Sequence, residues 1–194
     1  MSAVEVSGTI ALGAIGLLTI NLLLGLLLSV GYNPARQWPR RPMKLFTIHN
    51  WTAFIAFAAI VLHAGALLFS SQPPFRLYDV LIPIESPVQP FSNNLGALGF
   101  YLMTIVVVTS LKPVRTALGR HWWKIVHFTT YAAALVFFTH GVMADPLLQN
   151  RPIDFVDAEK LYVESCAAAV ATATIWRFKH RRSIRRAGRQ SLAR

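Results

Sequence analysis

The stretch HNWTAFIAFAAIVLH, residues 49–63, places two histidines fourteen positions apart in an otherwise apolar run. A second stretch, HFTTYAAALVFFTH at residues 127–140, begins and ends on histidines thirteen apart. Neither contains Asp, Glu, Lys or Arg. Ionisable groups are expensive inside a membrane span and are usually kept there for a function. As a helix, the first stretch separates its histidines by ~21 Å, which fits within ~30 Å of hydrocarbon.

The rest of the chain agrees with a membrane setting. Of 194 residues, 54% are hydrophobic and 14% charged, where a soluble domain carries about a quarter charged residues. Mean hydropathy is +0.46. Five apolar segments read as membrane helices: about Thr9–Tyr32, Leu45–Ser70, Leu95–Leu111, His121–Ala144 and Leu161–Trp176. Each approaches the ~20 residues needed to span. The fifth is alanine-rich and contains Glu164 and Cys166. The expected fold is all-α, a polytopic membrane bundle over residues 1–176 followed by a basic cytoplasmic tail, 177–194. The first apolar run is long enough to span and has no basic residues before it, so it reads as a helix rather than a cleaved signal.

Charge predicts the orientation. The net charge is +11. Basic residues gather in the first connection (Arg36, Arg40, Arg41, Lys44), in the third (Lys112, Arg115, Arg120, with Lys124 just beyond), and in the tail from Arg177 to Arg194. Only Arg76, Arg151 and Lys160 lie in the second and fourth connections. The positive-inside rule then puts the N-terminus outside and the C-terminus in the cytoplasm. The tail reads as a topology anchor against anionic lipid, not a nucleic-acid arm. Trp38, Trp122, Trp123 and Trp176 fall near inner helix ends and read as interfacial anchors. The single cysteine excludes an intrachain disulfide, a cysteine-ligated iron–sulfur cluster and covalent haem attachment.

The second and fourth spans run in the same direction, so their histidines match in depth. His49 and His127 lie near the inner face, and His63 and His140 towards the outer. Two stacked haems need this arrangement, with a neutral imidazole on each side of each iron. Propionate partners would be Arg41, Arg120 and Lys124 inside and Arg76 outside. Phe54, Phe57, Tyr131 and Phe137 fall between the tiers, where aromatic packing alone also explains them. One feature of the helix geometry resists. Fourteen residues at ~100° return to within ~40° of the starting face, whereas thirteen miss it by ~140°. Either the fourth span is locally distorted or His127 and His140 leave it on different sides. A histidine proton or metal pathway without haem is the other reading of the same residues.

The two histidine stretches, with LGRHWWKIVH at residues 118–127, resemble the haem-binding helices of the ferric reductase-like transmembrane family. That family includes the membrane parts of NADPH oxidases and ferric reductases, and the haem subunit of the bacterial methionine sulfoxide reductase system. Steps of fourteen and thirteen residues are common in it. The resemblance covers roughly residues 45–144. It implies two b-type haems, ligated by His49 with His127 and by His63 with His140, in a bacterial inner (plasma) membrane protein. Family members usually have six spans with the haem helices third and fifth; five are counted here, with the haem helices second and fourth. The larger members carry a cytosolic flavin and nicotinamide module. This sequence shows no phosphate-cradling glycine loop, so its electrons are expected from a separate partner protein or quinol. The expected activity is an electron-transfer subunit that carries electrons across the bilayer to an acceptor. The alternative is an accessory subunit of a larger redox complex, with haems of mainly structural role. The proline-rich connection of residues 71–94 is expected to be an ordered outer segment, either a plain cap or part of a docking or acceptor site.

Overall fold

The structure is a computed structural model; residues 2–31, 44–145 and 155–192 are described, with side chains of the last stretch described as far as 180. Six α-helices account for nearly all of it: α1 (Ala3–Val30), α2 (Leu45–Ala66), α3 (Leu77–Leu81), α4 (Pro90–Ser110), α5 (Lys112–Met143) and α6 (Ala158–Leu192). Short 3-10 turns follow α2 at Leu67–Phe69 and α3 at Pro83–Glu85. This is the all-α membrane bundle expected from the sequence. Among the described residues, Ala3–Val30, Leu45–Phe69, Pro90–Ser110 and Lys112–Met143 are long and apolar enough to cross a membrane. The expected fifth span falls in α6, which is outside that group.

Local chemistry explains where the helices begin and end. α1 starts earlier than its apolar run. The Ser2 hydroxyl accepts from the Glu5 main-chain N–H, and the Glu5 carboxylate accepts from the Ser2 N–H, a reciprocal cap that satisfies two otherwise unpaired donors. It ends at Gly31, whose φ of 71° turns the chain into the left-handed region. α4 begins at Pro90, where a ring without an N–H costs nothing. α5 bends at Gly119, and no other non-helical backbone angle interrupts it.

Two antiparallel pairs organise the bundle. α1 packs along α2 and α4 along α5, while α6 lies beside α1 and α5. The core draws on Leu18 and Leu22 of α1, Ile60 of α2, Met103 of α4, Phe137 and Phe138 of α5, and Val163 and Val170 of α6. Large apolar side chains cover the outside: Trp51 is 65% exposed and Leu135 68%. In water such a surface would aggregate; in lipid it is ordinary. α2 and α5 lack close backbone packing on each other. The four histidines of interest stand in that gap.

Candidate functional site

α2 carries His49 one turn from its start and His63 near its end, and both point towards α5. The His49 and His127 ring centroids are 6.3 Å apart, and those of His63 and His140 are 6.4 Å apart. The structure therefore brings the four histidines into the two expected pairs. The residues from Arg120 to Met143 form an uninterrupted helix. His127 and His140 thus leave α5 on different sides, and no local distortion is involved.

Three of the four imidazoles are oriented through Nδ1. His49 Nδ1 lies 3.1 Å from the Asn21 carbonyl oxygen. His63 Nδ1 lies 2.9 Å from the Ser7 carbonyl oxygen. His140 Nδ1 lies 2.8 Å from the Ser92 carbonyl oxygen. A carbonyl can only accept, so the proton belongs on Nδ1 and the Nε2 lone pair remains available. The Ser7 hydroxyl donates to the His63 carbonyl at 2.9 Å and faces His63 Nδ1 at 2.8 Å. This is the outer support that metal-ligating histidines usually have. His127 differs. Its Nδ1 is buried without a hydrogen-bond partner among the described residues, and its ring stacks on Trp123 at 5.0 Å.

Glycines make room for these rings. A Cβ on Gly96 would stand 3.0 Å from His140 Cε1, and one on Gly25 would stand 3.3 Å from His49 Cε1. A cavity of about 410 Å³ opens beside the second pair, lined by His63 and His140 with Leu18, Ile60, Phe100 and Phe137. Phe75, Leu77 and Leu81, from the 71–94 connection, line its end. That connection is an ordered cap, with Phe75 buried.

The residues present fit haem. A ligating nitrogen lies about 2 Å from its metal and about 1 Å from its own ring centroid, so two imidazoles on opposite sides of one ion have centroids about 6 Å apart. Both pairs match that distance. Among the described residues, no three His, Cys, Asp or Glu side chains gather around one point. Each tier offers two imidazoles only. This suits an iron whose equatorial positions a macrocycle fills, rather than a bare ion that needs a full protein shell.

The expected propionate partners are less uniform. Arg120 and Lys124 are exposed on α5, on the N-terminal side of His127. Arg41 lies outside the described residues. Arg76 is exposed at the start of α3, its main-chain N–H donating to Asp79 at 2.8 Å, and it does not line the cavity. Of the aromatic residues expected between tiers, Phe57 stacks on Phe100 at 5.9 Å and Phe137 is buried. The Tyr131 hydroxyl accepts from Arg177 at 3.0 Å, and Phe54 is exposed. His121 is exposed beside Trp122, and His180 stacks on Trp176. Trp122 and Trp176 are exposed as interfacial anchors would be, but Trp123 packs inward on His127. Trp38 lies outside the described residues.

Sequence reading missed the second layer: Ser7, Asn21, Ser92, Gly25 and Gly96. One signal was available. Ser7 and Asn21 stand fourteen residues apart in an apolar helix, the same step as His49 to His63. On antiparallel neighbours that match brings each polar residue to one histidine.

No curated protein and no solved structure gives a match to the chain. The family model for the ferric reductase like transmembrane component matches residues 10–138, a segment that holds His49, His63 and His127 and stops just before His140. With more than half the chain so matched, this integral membrane protein belongs to the ferric reductase-like transmembrane family, whose domains bind haem and serve membrane redox chemistry.

Proposed function

We propose that the chain is a di-haem b-type membrane cytochrome that carries electrons between a donor on one face of the bilayer and an acceptor on the other. The observation that carries this reading is the equal spacing of the two imidazole pairs, 6.3 and 6.4 Å between centroids. A haem held by two histidines would supply outer-sphere electron transfer. The chain's own part is positional. His49 and His127 hold the inner tier, and His63 and His140 the outer. Main-chain carbonyls of Asn21, Ser7 and Ser92 orient three of the four rings and would hold them ready for an iron. Most of the wall beside the second tier is apolar and would favour a flat apolar ring. Arg120 and Lys124 would supply positive charge near the inner tier, a role the sequence also offers to Arg41. The sign distribution along the sequence supports five spans with the N-terminus outside, α6 being the fifth, in a bacterial inner membrane. The donor is a separate partner protein or a quinol.

A reduced-minus-oxidised spectrum with pyridine haemochrome quantitation tests the proposal on the purified chain. Two b haems per chain are expected. A haem-free protein that remains folded in detergent would sink it and favour a histidine relay.

A further inference from the structure

We infer that Lys160 is the cation that anchors a propionate of the outer haem, an inference that rests on the two-haem reading. Lys160 is the third residue of α6 and only 5% exposed. It lines the same cavity as His63 and His140. Among the described residues, no hydrogen bond or ion pair engages it. A lysine side chain is rarely this buried without an anion to compensate its charge. Asp79, Asp145 and Glu159 also line the cavity, yet none is paired with Lys160.

The shape of the cavity says what the anion is attached to. Its walls are mainly Leu, Ile, Val, Ala and Phe, and Lys160 is the one lysine or arginine among its described lining residues. A flat apolar ring carrying carboxylates on one edge satisfies both features. Arg76 and Arg151 are the other basic residues on this side. Arg76 is exposed and off the cavity, and Arg151 lies outside the described residues. The position of Lys160 at the start of α6 has a second consequence. It ties the outer haem to a helix that supplies no iron ligand.

Transfer of haem from the intact, two-haem chain to an excess of haem-scavenging globin tests the inference. Lys160→Met should speed one of two release phases by about 10- to 100-fold, the range for losing a hydrogen bond to a charged group, and leave the other phase alone. Lys160→Arg and Arg76→Met should release at the parental rate. Loaded instead with the dimethyl ester of protohaem, the parent and Lys160→Met should release alike. Unchanged release of protohaem from Lys160→Met would overturn the assignment, as would an equal acceleration with the ester. Should Lys160→Met not fold, the parent alone decides. An ester released no faster than protohaem in either phase means that no propionate is anchored. A parent chain holding fewer than two haems would instead bring down the two-haem reading itself.

Discussion

His63 and His140 come from parallel helices that do not pack closely on each other, yet each Nδ1 is held by a main-chain carbonyl of the antiparallel neighbour of its own helix. His63 is tied to Ser7 of α1 at 2.9 Å and His140 to Ser92 of α4 at 2.8 Å. Each helix pair thus presents one pre-oriented imidazole to the gap. The gap lies between two closely packed pairs, α1 with α2 and α4 with α5. Preorganisation of this kind places ligand orientation in the fold rather than in the cofactor.

The pairing makes a selective prediction. His63→Ala or His140→Ala should leave one haem per chain, as should His49→Ala or His127→Ala. The survivor should be the same haem within a pair and the other haem between pairs, as its reduced spectrum and potential will report. Loss of both haems from each single change would contradict two independent tiers.

Ring clearance makes another. A Cβ at position 96 meets His140 Cε1 at 3.0 Å, while one at position 25 meets His49 Cε1 at 3.3 Å. Gly96→Val adds two further methyl groups at the tighter site and should expel the outer haem while sparing the inner. Gly25→Ala asks His49 to move a few tenths of an ångström and should retain two haems. Haem content of the two purified variants checks the order, which would fail if Gly25→Ala proved the more damaging.

Much of this was legible before the structure. Helices in lipid must close their own hydrogen bonds, so apolar runs translate almost directly into α1, α2, α4 and α5. The histidine pairs followed from depth alone. What was not legible depended on azimuth and on neighbours. Sequence leaves open the side of α5 from which His127 departs, and the uninterrupted helix from Arg120 to Met143 decides it. Main-chain carbonyls carry no residue signature, so the supports from Asn21, Ser7 and Ser92 could be approached only through their side chains. Lys160 read as one of three minority charges; its burial accompanies the packing of α6 beside α1 and α5.

Asn21 separates structure from ligation. Its side-chain amide donates to the His49 carbonyl at 2.5 Å and to the Thr52 hydroxyl at 2.8 Å, stapling α1 to α2. The bond to His49 Nδ1, however, uses the Asn21 main chain. Asn21→Leu should therefore lower stability by about 0.6–2 kcal/mol, the range for interhelical hydrogen bonds in membranes, with haem content unchanged. Thermal unfolding in detergent and haemochrome quantitation read the two effects separately. A loss of inner haem without loss of stability would show that the side chain acts on the ligand instead.

Arg177 carries the last prediction. It is 7% exposed, donates to the Tyr131 hydroxyl at 3.0 Å, and keeps a buried Nε without a partner among the described residues. A guanidinium so placed depends strongly on the few acceptors it has, because a buried charge without a partner is costly. Tyr131→Phe keeps the ring and its stack on Phe128 but removes that acceptor. The expected cost is about 1.5–3 kcal/mol. Tyr131→Phe with Arg177→Met should recover most of it, because the double variant leaves neither an orphaned charge nor an orphaned acceptor. Chemical or thermal unfolding of the two single variants and the double variant forms the cycle. Additive losses would mean that the 3.0 Å contact contributes nothing and that Arg177 finds its acceptor elsewhere.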